Sequence, residues 1–194
     1  MTDRRTTILE AASRLIARRG VRGLRMHELA TEAGVSTALV YYHFKDRAGA
    51  LRHTLDFITD RTKRYSAVRR RPDQPSDPLQ LLEQTLLLAF QDLHGVREDS
   101  TAWGELRASA VFEPELREAL ARAGESRIRE IAGLLTLAQP SAATADAIAS
   151  AERLTALHEG LNARRLSGAL HPEHAGALMK EAIEIEVAHL KEFD

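Results

Sequence analysis

The chain has 194 residues, with 27 Lys and Arg, 28 Asp and Glu and no cysteine. That length allows one substantial core or a small domain joined to a larger one. Lack of cysteine excludes disulfides and thiolate metal sites and suits a cytoplasmic protein.

The net charge of −1 conceals a segregation of sign. Residues 1–71 carry 16 basic against 7 acidic side chains, a balance of +9, whereas residues 72–194 carry 11 against 21, a balance of −10. A basic end supplies salt-sensitive attraction to nucleic acid, and an acidic remainder is kept off the phosphate backbone. Nucleotide composition of the genome accounts for 23 Arg against 4 Lys, but not for this segregation. The opening MTDRRTT lacks an apolar stretch and the longest apolar run is Leu86–Phe90, so neither a secretion signal nor a membrane span is expected.

Taken in chain order, Arg4–Arg19 places Ile8, Ala11, Ala12, Leu15 and Ile16 on one helical face, and Gly20 stops the helix. Leu24–Ala33 reads as a second helix with Met26, Leu29, Ala30 and Ala33 turned inward. Gly34 suits a left-handed turn, Val35 an apolar plug between helices, and Ser36 an N-cap for a third helix. From Thr37 to Phe44 that helix combines a hydroxyl, two phenols and an imidazole with the apolar pair Val40 and Phe44. The four-residue spacing puts Val40 and Phe44 in the core and leaves Tyr41 and Tyr42 outside, a surface suited to phosphates and base edges. Helix, glycine turn and helix form a helix-turn-helix.

The run ILEAASRLIARRGVRGLRMHELATEAGVSTALVYYHFKDR resembles the TetR family of bacterial transcriptional regulators over roughly the first quarter of the chain. The elements agree together: an alanine-rich first helix, a glycine stop, an ELA pair, AGVS, then YYHF with a basic residue three positions on. The resemblance implies that Thr37, Ala38, Leu39 and Tyr41, following the cap Ser36, face the major groove. It implies that Tyr42, His43 and Arg47 meet phosphates, with Lys45 as an additional contact. Where family members often carry a Thr or Ser capping the second helix, this chain has Leu24, Arg25 and Met26. Arg25 is the expected ionic replacement. A second departure follows Arg47, where Ala48 and Gly49 replace the usual acidic pair, although Asp46 still supplies a cap.

A fourth helix is expected over about 47–69, ended by the proline-rich segment Arg69–Pro78. Asp77 and Pro78 then form a strong start signal. Beyond it all segments read as helix: Leu79–Leu93; one carrying Trp103, Leu106, Arg107 and Ala110; one opened by Pro114 and running from about Glu115 to Ala138; then Ala143–Leu170 and Pro172–Phe193. The expected fold is all-α with about nine helices. A DNA-binding domain over 1–53 connects through the fourth helix to a ligand-binding and dimerisation domain over 77–194.

The last helix carries two apolar stripes, Leu178, Ala182, Ile185 and His189 beside Met179, Ile183 and Leu190. One exceeds what a single core requires and, as in the resembling family, points to a homodimer through the last two helices. The resemblance also implies a small-molecule cavity, for which Phe90, His94, Trp103, Arg107, His158 and Asn162 are candidate lining residues.

A competing class rests on Glu186 and His189, which have the Glu-x-x-His spacing of carboxylate-bridged bundle enzymes, with His171 and His174 one turn apart. A second such motif is missing, and no phosphate-binding loop, dinucleotide glycine motif or nucleophile elbow is present. Neither catalytic residues nor a metal or cofactor are expected. An all-helical adaptor is the other alternative, and it leaves the basic, aromatic third helix without a purpose. The expected function is therefore a homodimeric repressor of a palindromic double-stranded DNA operator, released by a small-molecule effector.

Overall fold

A computed structural model describes residues 3–68, 77–91 and 93–191. Among these residues the chain forms α1 (Arg4–Arg19), α2 (Met26–Ala33), α3 (Thr37–Phe44), α4 (Arg47–Val68), α5 (Pro78–Leu87), α6 (His94–Ser109), α7 (Arg117–Ala138), α8 (Thr144–Leu166) and α9 (Pro172–Lys191). Three short 3-10 turns, Val21–Gly23, Leu88–Phe90 and Pro114–Leu116, lie between them, and none of the described residues forms a strand. The all-α expectation holds. The proline-rich segment over 69–76 lies outside the described residues.

Several boundaries shift for local reasons. The second helix begins at Met26 rather than Leu24, because Leu24 is fully buried in extended conformation, closing the turn Val21–Gly23. The expected helix over Leu79–Leu93 ends at Leu87 and tightens into a 3-10 turn that buries Leu88 and Phe90. Pro114 opens a 3-10 turn, and the regular helix starts only at Arg117. The start at Asp77 is as expected, its Oδ1 accepting from Leu79 N–H at 3.1 Å.

Two compact units result, and they do not follow chain order. The first joins Met1–Lys63 to His94–Ala123, and the second joins Arg64–Leu93 to Gly124–Asp194. In the first, the apolar faces of α1, α2, α3, α4 and α6 close on Ile8, Ile16, Leu24, Leu29, Phe44, Leu51, Leu55 and Leu106. A polar network is sealed into this core. The hydroxyl of Ser13 donates to Asp99 Oδ1 at 3.1 Å, while Arg61 Nε donates to Asp99 Oδ2 at 2.6 Å, so α1, α4 and α6 share one carboxylate. A buried, multiply hydrogen-bonded carboxylate holds three helices in one register, since losing either partner leaves charge without solvent.

The second unit packs α5, the C-terminal part of α7, α8 and α9 around Leu82, Leu86, Ile131, Leu135, Leu154, Met179 and Ile183. On the last helix Met179, Ile183 and Leu190 are buried and Leu178 and Ala182 pack partly against the same core, whereas Ile185 is 60% exposed. Ile148 and Leu157 on α8 are also exposed, so both final helices keep apolar side chains outside their own unit's core.

Candidate nucleic-acid interface

The geometry of α3 is set by its two ends. Gly34 closes α2 in the left-handed conformation at φ 65°, where a side chain would cost conformational energy. Ser36 then sits extended and its Oγ accepts from the Leu39 N–H at 3.2 Å, satisfying one of the orphan donors of the first turn. Val40 and Phe44 are buried as the spacing predicts, which turns the opposite face of α3 outward.

On that face Tyr42 is 80% and Tyr41 49% exposed, and Ala38 is exposed beside them. Thr37 is half-buried, and so is His43, whose ring meets that of Tyr42 edge-on at 5.2 Å between centroids. Leu39 packs partly against the first unit's core, which leaves it less available to a base edge than expected. Arg25, at the N-cap position of α2, is exposed and makes no capping bond, so its guanidinium can extend toward a phosphate.

Beyond α3 the chain turns at Lys45, which is exposed and the one described residue other than glycine with positive φ (φ 65°, ψ −54°). Asp46 N–H donates to Phe44 O at 2.8 Å across it, making a tight γ-turn of the strained hand. Asp46 then caps α4, its Oδ1 accepting from Gly49 N–H at 2.6 Å. Gly49 is the departure from the usual acidic pair that the structure explains. A Cβ there would stand 2.1 Å from Phe44 O, so only glycine lets α4 pass the end of α3.

The structure gives Arg47 partners other than the phosphate expected from the resemblance. Its Nε donates to Leu24 O at 3.1 Å and its Nη2 to Val21 O at 2.7 Å. Nη1 and Nη2 together grip the Glu113 carboxylate at 2.9 and 3.2 Å. This guanidinium clamps the start of α4 to the turn before α2 and to the segment after α6. Glu113 escaped the sequence reading because it lies 66 positions away with no motif to mark it.

Further clamps hold α1 against its neighbours. Arg14 Nε and Arg18 Nη2 donate to the two oxygens of Glu32 on α2, at 3.1 and 2.6 Å. Arg5 Nη2 donates to His53 Nδ1 on α4 at 3.1 Å. Burial, reinforced by the adjacent Arg5 cation, holds the His53 imidazole below its ordinary value and keeps that nitrogen an acceptor.

The candidate effector residues divide between the units. Trp103 and Arg107 belong to the first, where Trp103 packs on the core with Leu106 and Arg107 is exposed. In the second unit Phe90 is buried, and its ring lies 5.4 Å from that of His158, while Asn162 Oδ1 accepts from Arg165. The His94 side chain lies outside the described residues. Two residues here went unnoticed in the sequence: Arg165, buried on α8 two turns beyond His158, and Arg127 on α7. Arginine in an otherwise apolar stripe with Leu154 and Leu161 is the signal that marks Arg165.

The Glu-x-x-His alternative loses its carboxylate to an ion pair. Glu186 accepts from Arg153 Nε and Nη2 at 2.7 and 2.5 Å. Those hydrogen bonds outweigh the upward push of burial and hold the Glu186 carboxyl below its usual range. Among the described residues no three metal-ligating side chains converge, and no helix is long and apolar enough to cross a membrane.

A capped helix with tyrosines outward and a basic flank, mounted on a three-helix unit, defines a helix-turn-helix DNA-binding protein. The chain belongs to the bacterial regulatory proteins of the tetR family, whose pattern matches residues 8–53; that of the BetI-type transcriptional repressor C-terminal region matches residues 78–188. It is thus a DNA-binding transcriptional regulator. It is 40% identical to a putative TetR-family transcriptional regulator from Rhodococcus sp., over 96% of this chain and 100% of that one, with a TM-score of 0.87. A putative transcriptional regulator from Saccharomonospora viridis, solved in complex with choline, is 26% identical over 93% of this chain and 95% of that one, with a TM-score of 0.77. The HTH-type transcriptional regulator TtgR of Pseudomonas putida is 31% identical over 47% of this chain, a match that spans 43% of TtgR's length.

Proposed function

We propose that this regulator is a repressor that binds a palindromic operator as a homodimer and is released by a small molecule. The observation that carries this reading is the outward face of α3, where Ala38, Tyr41 and Tyr42 stand clear of a helix pinned by Val40 and Phe44. Thr37, Ala38 and Tyr41 read base edges. Tyr42, His43, Lys45 and Arg25 meet phosphates, and Arg47 positions the turn that carries them. Repression is supported by the match of residues 78–188 to BetI-type repressors.

Exposed Ile148, Leu157 and Ile185 on α8 and α9 support pairing of these helices with a second copy. Dimerisation supplies what one short recognition helix lacks, since two copies related by symmetry read a palindrome in successive major grooves. Effector binding falls in the second unit around Phe90 and His158; the choline complex of the relative from Saccharomonospora viridis supports a ligand-binding role for this type of protein.

The test is a gel shift with DNA flanking the protein's own gene, paired with sedimentation of the free protein. The expected result is selective retardation by a dimer, lost on Tyr42→Ala, and a shift toward monomer on Ile185→Glu. A protein that remains monomeric, or that binds random DNA equally well, contradicts the reading.

A further inference from the structure

Inside the second unit, His158 Nε2 is buried without a hydrogen-bond partner. A buried polar nitrogen left unmatched costs free energy that a native fold rarely leaves uncompensated. Its surroundings are specific. The Phe90 ring lies beside it at 5.4 Å. Two turns along α8, Arg165 is 6% exposed, and its Nε and Nη2 both donate to Asn162 Oδ1, at 3.2 and 3.0 Å, so Asn162 braces the guanidinium. From α7, Arg127 Nη2 donates to Thr85 O of α5 at 3.1 Å, and its Nη1 is paired to Glu130 only at a long 3.4 Å.

These groups set the sign of the site. Burial, reinforced by cationic Arg127 and then Arg165, pushes the His158 imidazole down to about 3, with no acid acting in the opposite direction. The ring is therefore neutral and lies in a positive field. Quaternary ammonium ligands need the opposite, a cage of aromatic faces or a carboxylate. Among the described residues of this unit Phe90 is the one buried Phe, Tyr or Trp ring.

We propose that the second unit binds a small carboxylate with an apolar body, the anion held by Arg165, Arg127 and His158 Nε2 and the body against Phe90. This rests on the effector reading above and names the class of ligand for it. With its hydrogen on Nε2, a neutral His158 donates to one carboxylate oxygen, while the guanidinium groups offer charge-assisted donors fixed in plane. The aliphatic side chains around Phe90, among them Leu82, Leu86, Ile131 and Leu154, suit a hydrocarbon body.

The test is calorimetric titration of the full chain with a series of probes: linear carboxylates from acetate to decanoate, benzoate, the amide of each, and choline. Release from promoter DNA is followed in the same samples. The expected result is that at least one carboxylate saturates the protein roughly tenfold or more tightly than its amide, while choline does not bind. Arg165→Met removes that preference and Arg165→Lys retains most of it. Thermal melts of both variants show whether the fold persists, and the comparison of acid with amide on the unaltered chain stands even if a variant unfolds. The proposal is overturned if no carboxylate exceeds its amide, or if choline binds more tightly than every carboxylate. Release of DNA by choline or an amide alone would overturn the anion site and leave an effector-released regulator intact. Arg165-dependent carboxylate binding without DNA release would support the anion site and remove its role as the release signal.

Discussion

Arg47 and Glu113 lie 66 positions apart and meet in a two-pronged ion pair, with Nη1 to Oε2 at 2.9 Å and Nη2 to Oε1 at 3.2 Å. The same guanidinium also satisfies the carbonyls of Val21 and Leu24. A side chain so engaged acts on DNA through the scaffold. Arg47→Ala is expected to lower stability by roughly 2–3 kcal/mol, because it leaves a part-buried carboxylate and two carbonyls unmatched. Tyr42→Ala, at a position 80% exposed, is expected to weaken DNA binding while changing stability by less than about 0.5 kcal/mol. Denaturant melts beside binding curves separate the two. Equal stability for both variants would make Arg47 an ordinary phosphate contact.

Lys45 sits at φ 65° in a strained turn directly after the recognition helix. Replacing it by glycine relieves that conformation, and Lys45→Gly is expected to stabilise the protein by about 1 kcal/mol. The lost cation is expected to reduce the salt dependence of DNA binding by about one phosphate contact. The melting midpoint and the slope of affinity against salt report the two effects independently.

Gly49 marks the opposite situation, a glycine demanded by proximity. The Cβ of Gly49→Ala would collide with the Phe44 carbonyl oxygen, and neither backbone segment can move without displacing the other. A loss of roughly 2–4 kcal/mol is expected, measured by chemical denaturation, despite alanine's better helix propensity. A stabilised Gly49→Ala variant would mean that α3 and α4 do not pass as closely as described.

Acid should destabilise the protein through His158. Its imidazole is held at about 3 in the folded chain, against an ordinary 6.5. Below about pH 6.5 the unfolded chain takes up a proton that the folded chain refuses, so stability is complete above that pH and falls toward pH 3. The slope attributable to this group is about 1.4 kcal/mol per pH unit. Thermal melts between pH 7 and 4, without ligand, are expected to fall more steeply for the wild type than for His158→Gln. Parallel curves would place the ring in a more solvated setting.

Much of this was legible in the sequence wherever the determinants are local. The four-residue spacing of Val40 and Phe44 separates the buried face of α3 from its tyrosines, and Gly34 and Ser36 mark the turn by their own chemistry. Features that depend on distant partners were not. Nothing near Arg47 announces Glu113, and nothing in α6 announces that Asp99 joins Ser13 and Arg61 in the first unit's core. The apolar run from Leu86 to Phe90 contains no breaker, so its tightening into a 3-10 turn is a packing outcome. Nothing near Arg127 announces that its guanidinium reaches the Thr85 carbonyl, 42 positions away.

We propose that the outward face of α3 reads DNA. The most direct test is the affinity of wild type and Tyr42→Ala for the promoter of the protein's own gene and for random DNA, each titrated across salt. Wild type is expected to prefer the promoter by roughly a thousandfold or more, with affinity falling steeply as salt rises, and Tyr42→Ala is expected to bind the promoter more weakly. Equal affinity for both DNAs, or a promoter affinity unchanged by Tyr42→Ala, would contradict it.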